Sequence, residues 1–221
     1  MSKNIEQKID IFFDWLRNNK DQVIIIGAVI LFLIALIPLV ANYNNKKMQD
    51  VLQIYTQTQS YYYQGDFKKS VEFSDKFLGQ YNKKKDLTKL VLFIKANSLY
   101  NLEKYKQAAD IYQELQKTYS KDYLMPNFID GFAYCLEMQG KYNEAIAEWN
   151  KIINKYSDIY LVANSYKGIA RCAELLNDYK KAEGIYTLMG TMFKNTSWAE
   201  FSKNRLVYLA ASGKVQIKTK K

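Results

Sequence analysis

Four aromatic residues, Phe67, Tyr105, Tyr142 and Tyr179, follow one another at intervals of 38, 37 and 37 residues, and each carries the same neighbourhood with it. Three positions after each stands a small residue: Ser70, Ala108, Ala145 and Ala182. Four beyond those come Ser74, Tyr112, Trp149 and Tyr186, and three further on Phe77, Leu115, Ile152 and Met189. Upstream, Thr58, Ala96, Ala133 and Ala170 precede Tyr61, Leu99, Leu136 and Ala173 by three. A period of this length implies a stack of small supersecondary units, because no single unit can bury its apolar face alone.

The spacing within each unit predicts a helix–turn–helix. Small residues let the two helices approach closely, and the aromatics fill the gap to the next pair. Gly65, Gly140 and Asn177 fall at the turn, where a left-handed backbone is easiest for those residue types. Glu103 takes that place in the second unit and is less suited to it. A fifth, partial unit runs from Trp198 to Ala211 with Gly213 at the turn, followed by the basic stretch KVQIKTKK. A final unpaired helix with a polar outer face is the cap that a stack of helix pairs needs.

The phrases GDFKKS and GKYNEAI, with their counterparts in the other units, resemble tetratricopeptide repeats from Val51 to about Gly213. The family's period is shorter by two to four residues, and the proline that closes its units is absent here, apart from Pro126 opening the third. The fold class expected is all-α: one N-terminal transmembrane helix followed by a right-handed α-solenoid of about four and a half helix pairs. Such a scaffold hosts many partners, so it does not name a function.

Ahead of the repeats, Val23 to Ala41 is nineteen residues without a charge or a side-chain hydrogen-bonding group. As a helix it would extend roughly 28 Å, close to the hydrocarbon core of a bilayer. Gly27 and Pro38 are costly in soluble helices and common in membrane ones. The run is too long, and its flank too balanced in charge, for a cleaved signal peptide, so retention as an anchor is expected. Ile5, Ile9, Phe12, Phe13 and Leu16 recur at helical spacing before it, which predicts an amphipathic helix at the membrane surface with Trp15 at headgroup depth. Asn18–Asp21 should break that helix, and Asp21 can cap the next. Four Lys and Arg before the apolar run, against Lys46 and Lys47 soon after it, place the N-terminus in the cytoplasm by the positive-inside rule. The domain boundaries expected are 1–22 leader, 23–41 membrane helix, 42–213 repeat domain and 214–221 basic tail.

The first 22 residues are balanced, four basic against four acidic, so the whole +10 net charge lies downstream. Lysines there, including Lys83 to Lys85 and the tail Lys214, Lys218, Lys220 and Lys221, read most simply as solvated charge. Neither run contains aromatics, so nucleic acid is not an expected partner. The chain has no histidine, which removes the commonest general base and metal ligand together. No phosphate loop, dinucleotide fingerprint or nucleophile elbow is present. No catalytic residue, cofactor, metal or small-molecule substrate is expected. Cys135 and Cys172 occupy one register position in successive units, where two small buried residues are the simplest reading and a disulfide the alternative.

The whole layout, a short leader with FFDWLRNNKDQ, one membrane helix, then a tyrosine-rich helix entering the repeats, resembles the bacterial ancillary translocon subunit family. That resemblance implies a single-pass inner-membrane protein with a cytoplasmic N-terminus and a periplasmic repeat domain, placed beside the secretion channel with a periplasmic chaperone. The function expected is a protein–protein interaction scaffold, not an enzyme. A structural scaffold of another inner-membrane envelope machine is the alternative, and an enzyme accessory subunit a remote one. Counting along each first helix puts Leu52, Tyr55, Gln59 and Tyr62; Leu90, Phe93, Asn97 and Tyr100; Asn127, Asp130, Tyr134 and Glu137; and Asn164, Lys167, Arg171 and Glu174 on the concave face. The candidate partner groove is therefore Tyr55, Tyr62, Phe93, Asn97, Tyr100, Tyr134, Lys167 and Arg171. Packing of those aromatics on neighbouring helices is the competing reading. Lys167 and Arg171, with Lys203 and Asn204, could receive a carboxylate.

Overall fold

The computed structural model describes residues 2–81 and 85–216 and, of residues 2–6, 44 and 85, the backbone alone. Lys83, Lys84, Lys218, Lys220 and Lys221, read above as solvated charge, lie outside the described residues, as do the side chains of Ile5 and Lys85. Among the described residues there are ten helices and no strand. The chain divides into two units, residues 1–53 and 54–221.

The first unit holds α1 (Ser2–Asn18) and the larger part of α2 (Lys20–Tyr63). Asn19 separates the helices, and its side-chain amide donates to the Trp15 carbonyl at 2.8 Å. Asp21 sits inside the first turn of α2, not before it, so it faces the positive helix end without being the capping residue. Helix α2 runs through Pro38. It is long and apolar enough to cross a membrane, and none of its most apolar stretch is buried within the chain. In α1 the apolar Ile9, Phe12, Phe13 and Trp15 are likewise exposed.

The second unit is a solenoid of helix pairs: the end of α2 with α3 (Phe67–Tyr81), α4 (Lys85–Asn101) with α5 (Tyr105–Thr118), α6 (Met125–Met138) with α7 (Tyr142–Lys155), and α8 (Ile159–Leu175) with α9 (Tyr179–Met192). The unpaired α10 (Ser197–Ala211) closes it. From α3 to α10 each helix packs on the next in sequence, α3 meets the end of α2 through Phe73 and Tyr61, and α4, α6 and α8 also touch one another in turn. The crossings use the predicted small residues. Ala96, Ala133, Ala170, Ala108, Ala145 and Ala182 are wholly buried. In the first pair those places hold hydroxyls: Ser70 Oγ donates to the Thr58 carbonyl at 3.2 Å and lies 2.9 Å from Ser98 Oγ. Burial of hydroxyls is tolerated there because each has a partner.

The two aromatic columns behave differently. Tyr112, Trp149 and Tyr186 are buried to within about one per cent. Phe67 and Tyr105 are only half-buried and pack back on their own first helix, against Tyr62 and Tyr100 at centroid separations of 5.8 and 5.4 Å. Helices α3 and α9 are capped by Asp66 and Asp178, which accept from the Lys69 and Lys181 amides at 3.1 Å. The equivalent Lys104 and Lys141 give α5 and α7 no side-chain cap.

Every turn between first and second helix has the same closure. The amide of residue 65, 103, 140, 177 or 213 donates three residues back, and the next amide donates five back, as Asp66 does to Tyr61 and Lys141 to Leu136. This double bond needs a left-handed residue. Gly65, Gly140 and Gly213 supply it at φ 78°, 75° and 68°, and Asn177 at 60°. Glu103 is held at φ 60° as well, so the least suited residue type adopts the common geometry. The cap helix α10 has a mixed outer face: Glu200, Lys203 and Asn204 are exposed together with Val207 and Tyr208.

Candidate functional site

Because first helices face first helices, their inner stripes converge on one side of the second unit and form three clefts. The first, of about 420 Å³, lies between Tyr55, Gln59 and Tyr62 on α2 and Leu90, Phe93 and Asn97 on α4, with Tyr123 and Leu124 at its edge. The second, of about 300 Å³, adjoins it through Phe93 and Asn97, and adds Tyr100, Tyr112, Asn127, Asp130, Gly131 and Tyr134. The third, of about 280 Å³, holds Lys167, Arg171, Glu174, Tyr186, Phe201 and Arg205. All eight residues predicted for the groove therefore line a cleft: Tyr55 and Tyr62 the first, Phe93 and Asn97 the first two, Tyr100 and Tyr134 the second, Lys167 and Arg171 the third.

Several of these side chains also pack. Phe93 meets Phe128 and Tyr112 edge-on at 5.5 and 6.1 Å, and Tyr134 meets Trp149 at 5.3 Å. Burial raises the hydroxyl pKa of Tyr55 and Tyr62, and carries that of Tyr100 up to about 12 with help from Glu137. These tyrosines are therefore neutral hydrogen-bonding groups at neutral pH.

From α5 onward, the buried aromatic of the second helix reaches through to the groove and anchors a polar residue there. Tyr112 Oη donates to Asn97 Oδ1 at 2.6 Å, Trp149 Nε1 to Asp130 Oδ1 at 2.8 Å, and Tyr186 Oη to Glu174 Oε1 at 2.6 Å. Asn164 Nδ2 on α8 adds a bond to Asp130 Oδ2 at 3.2 Å, and Tyr134 Oη donates to Asn164 Oδ1 at 3.0 Å. Burial pushes the Asp130 carboxyl up to about 6, against the hydrogen bonds from Trp149 and Asn164 and the pull of Arg171.

The charged end is internally matched. Arg171 binds Glu137 through Nε and Nη2, and Arg205 binds Glu174 in the same two-pronged way, with Nε 2.8 Å from Oε1. Burial raises the Glu174 pKa, but the Arg205 and Tyr186 hydrogen bonds outweigh it and the net shift is down. The guanidinium of Arg171, weighed above as a carboxylate receptor, is thus already engaged by a carboxylate of its own chain. Lys167 lies over the Phe201 ring at 4.7 Å. Lys203 and Asn204 are exposed, and the cap helix presents Arg205 to the cleft in their stead.

Gly131 and Gly168 escaped the sequence reading. A Cβ on Gly131 would lie 2.3 Å from Tyr112 Cζ, and one on Gly168 2.7 Å from Trp149 Cε2. Each glycine is 19 residues after the ring it accommodates, a signal visible in the repeat alignment once the ring is known to cross. Cys135 and Cys172 are buried free thiols, and burial raises both to about 12, where they are inert. Among the described residues no group of acidic or thiol side chains clusters as a metal site would require.

No curated protein matches the chain significantly. A family model, that of the tetratricopeptide repeat, matches residues 90–122 and 132–158. Those stretches cover most of α4–α5 and of α6–α7, and the pairs on either side repeat their turns and crossings, so the second unit is a helical-repeat solenoid of the tetratricopeptide type.

Proposed function

We propose that the chain is a membrane-anchored scaffold of the bacterial cell envelope, held by residues 23–41 with its N-terminus in the cytoplasm and its repeat domain in the periplasm. Its groove, lined by Tyr55, Tyr62, Phe93, Asn97, Tyr100 and Tyr134, is the surface for a protein partner, and the partner's setting is the secretion translocon or a periplasmic chaperone. The observation that carries the binding role is the adjoining pair of clefts along α2, α4 and α6, which aromatic rings and side-chain amides line together. Tetratricopeptide repeats serve protein–protein interaction, which agrees with that arrangement. Support for the anchor is the exposure of large apolar side chains along that stretch, among them Ile24, Leu31 and Leu39, each at least 66% exposed.

The test is site-specific photocrosslinking in intact membranes. A photoreactive residue at Tyr62 or Tyr100 should capture a discrete partner, and one at the exposed Lys106 on α5 should not. Adducts from Lys106 alone would move recognition to the outer surface. Identification of the adduct as a translocon subunit or chaperone decides the setting.

A further inference from the structure

We propose that the cleft between α4 and α6 receives the basic side chain, lysine or arginine, of a partner peptide, with Asp130 as its counter-charge and Phe93, Tyr100 and Tyr134 as the rings around it. This rests on the groove being the partner site and specifies what the groove selects.

The argument is one of unmatched charge. Helices α6 and α8 carry three carboxylates, Asp130, Glu137 and Glu174. Two of them are matched by a guanidinium within the chain: Glu137 by Arg171 and Glu174 by Arg205. Asp130 is held by neutral donors, the Trp149 indole and the Asn164 amide. Those bonds fix the carboxylate in place without a direct ion pair; the one guanidinium that acts on it, Arg171, is bonded to Glu137. Asp130 lines a cleft of about 300 Å³ whose lining contains no Lys or Arg, in a chain whose net charge is +10. A half-buried carboxylate of this kind favours a cation strongly, because the surrounding medium screens it less than water does.

The walls suit the same ligand. Aromatic faces attract ammonium and guanidinium groups, and the long apolar stem of a lysine or arginine can lie along rings while its head reaches a carboxylate. At the floor Gly131, bare of Cβ, admits the Tyr112 ring, which adds a further aromatic wall to the cleft. Asn97 gives its Oδ1 to Tyr112, which leaves its amide hydrogens for a peptide carbonyl. A carboxylate ligand would meet Asp130 in place of a counter-ion, and a purely apolar one would strand it.

The full-length chain in detergent micelles is incubated with an array of random nonapeptides, beside the variants Asp130→Asn and Asn127→Lys. Asparagine keeps an acceptor for Trp149, and a lysine at 127 puts a cation of the chain's own into the cleft. Bound peptides should be enriched about tenfold in Lys or Arg at one position, and the enrichment should fall to the input level in both variants. Acetylating the array's lysines should abolish the lysine part. Acidic enrichment, an unchanged preference in Asp130→Asn, or no selective binding of any peptide overturns the inference. A partner crosslinked from Tyr62 without any basic preference on the array sinks this inference and leaves the scaffold reading standing. A basic preference without a crosslinked partner does the reverse.

Discussion

The ring of Tyr112 occupies the place that a side chain would take at Gly131, with Cζ 2.3 Å from where a Cβ would stand. Thirty-seven residues later along both columns, in the next joint, Trp149 and Gly168 show the same relation at 2.7 Å. Consecutive units are thus keyed by a large ring on a second helix and a missing side chain on the following first helix.

That key makes the sign of a helix-favouring substitution predictable. Alanine for glycine in a helix interior ordinarily stabilises by about 0.5–1 kcal/mol. At Gly168 the wholly buried Trp149 cannot move aside, and overpacking of about 1–3 kcal/mol should win. Gly168→Ala should lower the urea midpoint, whereas Gly184→Ala, with nothing within 4 Å of its Cβ position, should raise it. Equal shifts in the two variants would show that the ring is not the cause.

Glu103 holds a left-handed backbone at φ 60° for the same turn that glycine makes three times. Replacing it with glycine removes a Cβ conflict of about 1 kcal/mol, partly offset by unfolded-state entropy. Glu103→Gly should stabilise the chain by about 0.5 kcal/mol or more, and Gly140→Glu should cost at least as much. Chemical unfolding followed by circular dichroism reads both.

Asp130 should set a pH dependence of stability. Its folded pKa of about 6 stands above the ordinary carboxylate value, so the native state binds the extra proton between about pH 4 and pH 6. The stability it contributes is fully present below pH 4 and is lost as pH rises through 6. The groups facing it are Trp149 on α7, Asn164 and Arg171 on α8 and Tyr134 on its own helix; over this range only Asp130 among them changes charge. Asp130→Asn should therefore be more stable than the parent at pH 7 by about 2–3 kcal/mol, with the gap closing near pH 4. A gap independent of pH would assign the effect to packing.

Arg171 and Glu137 are coupled across α8 and α6, and Glu137 is only 6% exposed. Arg171→Met leaves that carboxylate without its cation and should cost about 3 kcal/mol. Adding Glu137→Gln should restore much of the loss, because the desolvated charge is then gone. A double variant no better than the single one would mean that Arg171 acts through its contact with Tyr134, whose centroid lies 5.5 Å from the guanidinium carbon.

What the sequence disclosed and what it hid divide along physical lines. The turn residues and the small crossing residues were legible because each reflects a local constraint, a left-handed φ or a close helix approach, repeated at a fixed period. The inner stripes were legible too, since helical geometry alone assigns a face. Pairings between successive first helices were not. Glu137 and Arg171 both stood in the stripe, but only the crossing of α6 and α8 makes them partners, and no local rule gives that crossing. The role of Gly131 was hidden for the same reason: an unmarked glycine in a helix gains meaning only from the ring opposite. Of the first aromatic column, expected between pairs, Phe67 and Tyr105 pack instead on their own first helices, against Tyr62 and Tyr100.

The keyed joints give the solenoid an order. Ser74, Tyr112, Trp149 and Tyr186 stand in one column, and Phe93, Gly131, Gly168 and Arg205, nineteen residues after each, in the next. A small residue precedes a large one in the first joint, a ring precedes a glycine in the next two, and at the last the ring precedes an arginine. Cutting out the second pair would set Ser74 before Gly131 and leave a void; repeating the first pair ahead of the third would do the same. The units share one shape and yet are not interchangeable parts, so recombination between them, natural or engineered, is confined to the exchange of the second and third joints, where the lock is alike.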